Sequence, residues 1–314
     1  MQAHNLVHDL FGGKIWASLK FFFIIMGVAG VAGAIVYLLT PPIYVRFYNR
    51  AVKYEQKQLW DKAIVEYEKA ASEAAIAGAG AEDAKDVETK SLKAAGDINT
   101  LKLSKLNDGL KDYFKLAERH PASEHGKYAQ IRLVEMLTQF AQNCVLAAPF
   151  IKRYAKSFPK DQHTPALLRE GIRCSMTNGR LNDAQADALE FLTNYPNDAL
   201  YMDVTLDLAN AYFMAERYDE AEKTLDPMIK NENIPKDAWT AAFVLYGRCA
   251  LEKGLTEKAI EIFKKAVSVS AKPQIAQVYL NAAKEAFARK DEQKKMRQNT
   301  DVYIDHHKKR RGKR

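Results

Sequence analysis

Two hydrophobic patterns divide the chain. Phe21 to Leu39 runs for 19 residues without a charged or strongly polar side chain. At 1.5 Å per helical residue that run covers roughly 28 Å, about the thickness of a bilayer's hydrocarbon core. From Thr40 onward the pattern becomes periodic. A small residue is followed by an apolar or aromatic residue at +4 and another apolar residue at +7, the spacing of one helix face. Thr40 is a good N-cap and Pro41 suits a first helical turn, so a helix should start directly after the apolar run.

The triplet recurs as Ala63-Tyr67-Ala70, Gly109-Tyr113-Leu116, Ala147-Ile151-Tyr154, Ala184-Ala188-Phe191, Ala221-Leu225-Met228 and Ala259-Phe263-Ala266. The leading residues are 46, 38, 37, 37 and 38 positions apart. Pro121, Pro159 and Pro196 each fall 12 residues after a leader, and Pro235 and Pro273 fall 14 after. A small residue at a crossing lets two antiparallel helices approach, the +4 and +7 residues line the second helix, and proline ends it. The repeating unit is therefore a helical hairpin.

The units resemble the tetratricopeptide repeat family. Ala51, Tyr54, Trp60, Ala63, Tyr67 and Ala70 occupy its small and aromatic positions in the first unit. Leu208-Ala209, Tyr212, Tyr218 and Ala221 do so in the fifth, and Gly247, Gly254, Ala259, Phe263 and Ala266 in the sixth. The third and fourth units depart from the pattern, with Glu135 and Ile172 at a small position. The period exceeds the family's usual value of about 34. That spacing, with ERHPASEHGKYAQIRL and TNYPNDALYMDVTLDLANAY, looks like the family's bacterial envelope members. The resemblance implies an all-α, right-handed TPR-like solenoid of about six helix pairs over 43–290. Within it 71–104, rich in Ala, Lys and Gly, reads from its composition as an irregular or extended insert, a long or broken helix plus loop. The resemblance also implies that Tyr54, Trp60, Tyr67, Tyr212, Tyr218 and Phe263 are packing residues.

Residues 15–39 are expected to form one transmembrane helix behind a short tail, 1–14. Ile15 and Trp16 extend the apolar run toward an interface. Two rival readings are a buried core helix and a secretory signal cleaved at Ala32-Gly33-Ala34; Ile35 to Leu39 continue the apolar run past that cut. Ala29/Gly33 and Gly30/Ala34 have the spacing that lets membrane helices pair. Lys14 and Lys20 on one flank nearly balance Arg46, Arg50, Lys53 and Lys57 on the other. Orientation is therefore read from the N-terminal segment, which looks like an uncleaved signal anchor that exports the domain C-terminal to it. That reading gives a single-pass protein of the bacterial inner membrane with its C-terminal domain in the periplasm.

Charge and chemistry narrow the function. The formal charge is +8, and Lys308, Lys309, Arg310, Arg311, Lys313 and Arg314 supply six of those positives, so the body is nearly neutral. The tail, 306–314, is expected to be disordered, and two readings stand for it: contact with anionic lipid or nucleic acid, or plain solubilisation. Residues 291–305 are expected to form a polar capping helix after a helix that carries Ala276, Tyr279, Ala283 and Phe287 on one face. Cys144, Cys174 and Cys249 form no C-x-x-C pair and read as small buried hydrophobes, their odd number arguing against a complete disulfide set. No phosphate loop, H-E-x-x-H or G-x-S-x-G motif occurs. His4 and His8 have helical spacing but no third ligand, and His120 and His125 flank a turn. No enzyme activity, metal, cofactor or small-molecule substrate is expected.

In such an array the first helices line a concave groove. Alignment on the leading residues places Arg132, Met136, Phe140, Arg169, Arg173, Met176, Asn210, Phe213 and Arg248 there. Arginine forks suit carboxylates and Met and Phe supply adaptable apolar contact, so the groove is expected to take a protein segment with acidic and apolar side chains. The competing reading pairs these arginines within the array, with Asp203 or Asp207. The paired Lys-x-x-x-Asn and Lys-x-x-x-Arg positions of chaperone-tail-binding members are not reproduced: Tyr48/Val52 and Arg132/Met136 stand in the comparable places. The expected function is a membrane-anchored scaffold or adaptor. The alternatives are a cytosol-facing targeting receptor or co-chaperone, and a non-catalytic regulatory subunit of an enzyme complex.

Overall fold

The structure, a computed structural model, describes residues 21–28, 40–78, 82–140, 143–231 and 233–311. All regular structure among them is helical. The chain forms two compact units that meet in sequence at Ala129 and Gln130. The first contains α1 (21–28), α2 (Ile43–Gln56), α3 (Trp60–Ala77), α4 (Glu82–Asp97), α5 (Leu106–Arg119) and the start of α6 (Glu124–Glu135). The second contains the end of α6, α7 (Cys144–Ser157), α8 (Thr164–Thr177), α9 (Leu181–Asn194), α10 (Tyr201–Met214), α11 (Tyr218–Lys230), α12 (Lys236–Glu252), α13 (Thr256–Val269) and α14 (Gln274–Arg311). Within each unit the helices stack as hairpins, giving an all-helical, TPR-like solenoid.

Four of the turns inside the hairpins share one backbone device. Gln58, Gly179, Glu216 and Gly254 each lie two residues past the end of a first helix, and all have φ between 57° and 74°. The next amide reaches back to a carbonyl five residues earlier: Leu59 to Tyr54, Arg180 to Ser175, Arg217 to Tyr212 and Leu255 to Ala250, at 2.9 Å each. This is the left-handed helix stop, which satisfies the free carbonyls of the last turn. Glycine takes that conformation freely; Gln58 and Glu216 hold it at a cost.

Between hairpins the proline spacing sets the geometry. Phe158 and Tyr195 cap α7 and α9, and Pro159 and Pro196 come directly after them. The Asp161 amide donates to Phe158 at 3.0 Å and that of Asp198 to Tyr195 at 3.2 Å. Each is a β-turn with proline at its second position. The Asp161 and Asp198 side chains then accept the amides of His163 and Leu200, at 2.9 and 2.8 Å, and point the chain into the next helix.

Every residue of the six recurring triplets is buried, in line with a packing role. The +4 ring lies against a glycine of the preceding first helix in two pairs, Tyr113 on Gly96 and Phe263 on Gly247.

Four expectations need correction or restriction. Residues 71–104 are not an irregular insert: α3 continues to Ala77, α4 begins at Glu82, and Ala84, Val87, Leu92, Ala95 and Ile98 are buried. The stretch is rich in good helix formers, and the long interval comes from an 18-residue α3 and from a π-helical turn, Ile98–Lys102, that prolongs α4. Thr100 assists that turn by donating its hydroxyl to the Gly96 carbonyl at 2.8 Å. At the other end α14 runs unbroken from Gln274 to Arg311, through the expected capping helix and into the expected tail, because neither Gly nor Pro interrupts it. Cys144 and Cys174 are not free thiols: they form a disulfide, with Cα atoms 5.5 Å apart, and Cys249 is the buried free cysteine. Of the expected span 15–39 only residues 21–28 are described; they are helical and exposed. No described helix is long and apolar enough to cross a membrane. The remainder of that span and the tail 1–14 lie outside the described residues.

Candidate functional site

All nine expected groove residues belong to the second unit, and the structure divides them sharply. Met136 and Met176 are 2% and 8% exposed. They are core residues, and Met176 packs with Ile172, Ala188, Phe191 and Leu208. Arg169 on α8 is used internally: it donates to Asp203 at 2.5 Å and to Asp207 at 2.8 Å on α10. This is the internal-pairing alternative realised, and it clamps one first helix to the next. Arg132 is engaged by Glu135, one helical turn on, at 2.5 Å. Phe140 is exposed on a π-helical turn, Met136–Phe140, and Arg173 is exposed on α8.

The remaining three come together. Arg248 on α12 is half-buried, its guanidinium 4.3 Å from the Phe213 ring of α10 and 5.8 Å from the Tyr279 ring of α14. Tyr279 is itself stacked on the buried Phe263 at 5.7 Å. Two aromatic rings thus hold the cation, each contact contributing about 0.5–1 kcal/mol where partly exposed. No carboxylate among the described residues pairs with Arg248. Asn210, one turn before Phe213 on α10, lines the same place.

These residues border a groove of about 520 Å3 across α10, α12 and α14. Leu206, Val244 and Ile275 supply apolar contact, and Arg248, Lys272, Asp237 and Asp207, the last held by Arg169, supply charge. Such a volume and mixed lining suit a few side chains of a bound segment.

Part of this stretch matches a family model. The tetratricopeptide repeat matches over residues 176–237 and again over 206–274. Together the two matches cover 176–274, about a third of the chain. Among solved structures the chain is similar to a tetratricopeptide repeat protein from Parabacteroides merdae, at 18% identity over 78% of this chain and 86% of that one, TM-score 0.38. It is also similar to MamA, at 16% identity over 58% and 91%, TM-score 0.47. PilW, a widely conserved type IV pilus biogenesis factor, aligns at 14% identity over 73% and 94%, TM-score 0.42. No curated protein is significantly similar in sequence.

Tetratricopeptide repeats generally mediate protein–protein interactions. The groove lies within the matched repeats on α10 and α12, and its third wall, α14, begins where the match ends. Sequence reasoning did not assign Lys272, Ile275 or Tyr279 to the groove. For Tyr279 a signal was present, the helical face through Ala276, Tyr279, Ala283 and Phe287, which was placed in the array but not aligned with the groove-lining first helices. The disulfide also had a signal: Cys144 and Cys174 are equidistant from Pro159, so antiparallel helices either side of that turn bring them level.

Proposed function

We propose that the chain is a membrane-anchored tetratricopeptide scaffold that holds a segment of a partner protein in the groove across α10, α12 and α14. The observation that carries this reading is Arg248, held between Phe213 and Tyr279 at the groove with no carboxylate partner among the described residues. Arg169 supports it by contrast, since an arginine with a structural duty is saturated by two aspartates. The partner's contribution is an acidic side chain for Arg248 and apolar ones for Val244 and Ile275. A fork donor of this kind favours a planar carboxylate over a point acceptor.

Anchoring through residues 15–39 and a right-handed array belong to the same reading, as does export of the C-terminal domain. The Cys144–Cys174 disulfide supports export, because such bonds persist in oxidising compartments such as the periplasm and not in a reducing cytosol. The cytosol-facing alternative gains no comparable support.

Cross-linking and purification from detergent-solubilised membranes should recover a stoichiometric partner from cells carrying the wild-type chain. Arg248→Glu should abolish that recovery with helicity unchanged, and Arg169→Met should instead loosen the array. Recovery unaffected by Arg248→Glu refutes the groove. Protease added to spheroplasts should degrade the C-terminal domain, and protection from protease refutes export.

A further inference from the structure

The second helices of the second unit build another cleft, which uses none of the groove's helices. α7 forms one wall, α9 the other, and Leu168, Gly171 and Ser175 of α8 form the floor; its volume is about 520 Å3. Both ends are fastened. The Cys144–Cys174 disulfide ties the first turn of α7 to α8 at one end. At the other, the Tyr195 hydroxyl donates to the Pro159 carbonyl at 3.0 Å. Between Ala148 and the helix end at Ser157 the α7 wall rises roughly 14 Å, and Pro159 lies just beyond it.

The two walls carry opposite charge. Lys152 and Lys156 stand on α7, Asp187 and Glu190 on α9, and Arg180, which precedes α9 and is paired with Asp183, lines the disulfide end. None of the four has an ion-pair partner among the described residues, whereas further along the same unit Lys253 pairs with Asp219 and Glu222. Burial pushes the Asp187 carboxyl above its ordinary range, against the opposing pull of Lys152, so this acid sits down in the cleft. Ile151 and Phe191, both buried, make the space between the walls apolar.

The spacing along the walls selects a conformation for the segment that fits between them. Lys152 and Lys156 are one helical turn apart, a rise of about 6 Å. Side chains two apart on an extended strand share one edge and are spaced by about 6.7 Å, and their neighbours point to the opposite edge. An alternating acidic–basic strand therefore presents all its acids to α7 and all its bases to α9, with their aliphatic stems over the apolar floor. We propose that this cleft docks an extended segment of a partner protein, about five residues long, in which acidic and basic residues alternate.

Fluorescence anisotropy on the full chain in detergent tests this, with two blocked, labelled peptides of identical composition, Glu-Lys-Glu-Lys-Gly and Glu-Glu-Lys-Lys-Gly. The alternating peptide should bind about tenfold more tightly, and salt should weaken it. Lys152→Glu with Lys156→Glu should remove that preference. Adding Asp187→Lys and Glu190→Lys should restore it, the peptide lying with its edges exchanged. Equal binding of the two peptides, or no response to the single-wall reversal with helicity retained, overturns the proposal. Arg248→Glu should leave the preference intact, so loss of the groove and loss of this cleft give different results.

Discussion

Replacing Gly247 by alanine should weaken the α12–α13 pair even though alanine is the better helix former. In an unobstructed helix interior the change stabilises by about 1 kcal/mol. Here a Cβ would stand 2.6 Å from Cε1 of Phe263 and 2.9 Å from both Cδ1 and Cζ. The ring is fully buried with Tyr279 stacked upon it at 5.7 Å, so it has nowhere to retreat. The helices must instead part by about 0.8 Å to reach ordinary contact, and overpacking of that kind costs about 1–3 kcal/mol. The net expectation is a loss of up to about 2 kcal/mol in place of the gain of about 1 kcal/mol. A stacked array opens by parts, so the assay is hydrogen exchange of the α12 and α13 amides, with α8 and α9 as an internal reference. Phe263→Leu opens a cavity alone but removes the obstructing ring edge, so the double variant should lose at least about 1 kcal/mol less than the two single losses combined. The shift should also displace Arg248, the next residue, from Phe213 and weaken partner capture. If Gly247→Ala slows exchange and shows no coupling to Phe263, the close crossing does not exist and the reasoning fails.

Three further outcomes rest on the same geometry. Asp112 is buried, accepts one hydrogen bond from Asn99 at 3.0 Å, and is pushed up to about pKa 6, chiefly by desolvation. Its raised value means that stability is intact below about pH 4 and falls by about 3 kcal/mol as pH rises through 6. Urea midpoints of wild type and Asp112→Asn should therefore diverge between pH 4 and 7, the variant being the more stable at 7. Glu216→Gly should stabilise and Gly254→Ala destabilise, each by about 1 kcal/mol, because both positions hold φ above 55°. Opposite shifts in thermal midpoint check the pair. Reducing the Cys144–Cys174 bond, which closes 30 residues, should cost about 3–4 kcal/mol, seen as faster exchange across α7 and α8.

The hairpin repeat was legible in the sequence because the features that specify it are local. Ala259, Phe263 and Ala266 lie on one helix face by spacing alone, and Pro159 and Pro196 directly follow the caps of α7 and α9, whereas Pro149 and Pro227 are carried inside helices. The site was only partly legible. Arg169, Arg173 and Arg248 look equivalent along the chain, yet one is saturated by aspartates, one is exposed, and one rests between two rings. Nothing within a few residues of each distinguishes them, since the deciding neighbours sit more than 30 positions away.

The sequence by itself determined the helical class, the hairpin period and the core faces, through periodicity, small crossing residues and proline. Tertiary structure alone decided which arginines are spent and which remain for a partner. Stacking also brought Cys144 onto Cys174 and set Lys152 and Lys156 opposite Asp187 and Glu190. Periodicity reports which way a side chain faces on its own helix; the group that stands across from it depends on how neighbouring helices stack.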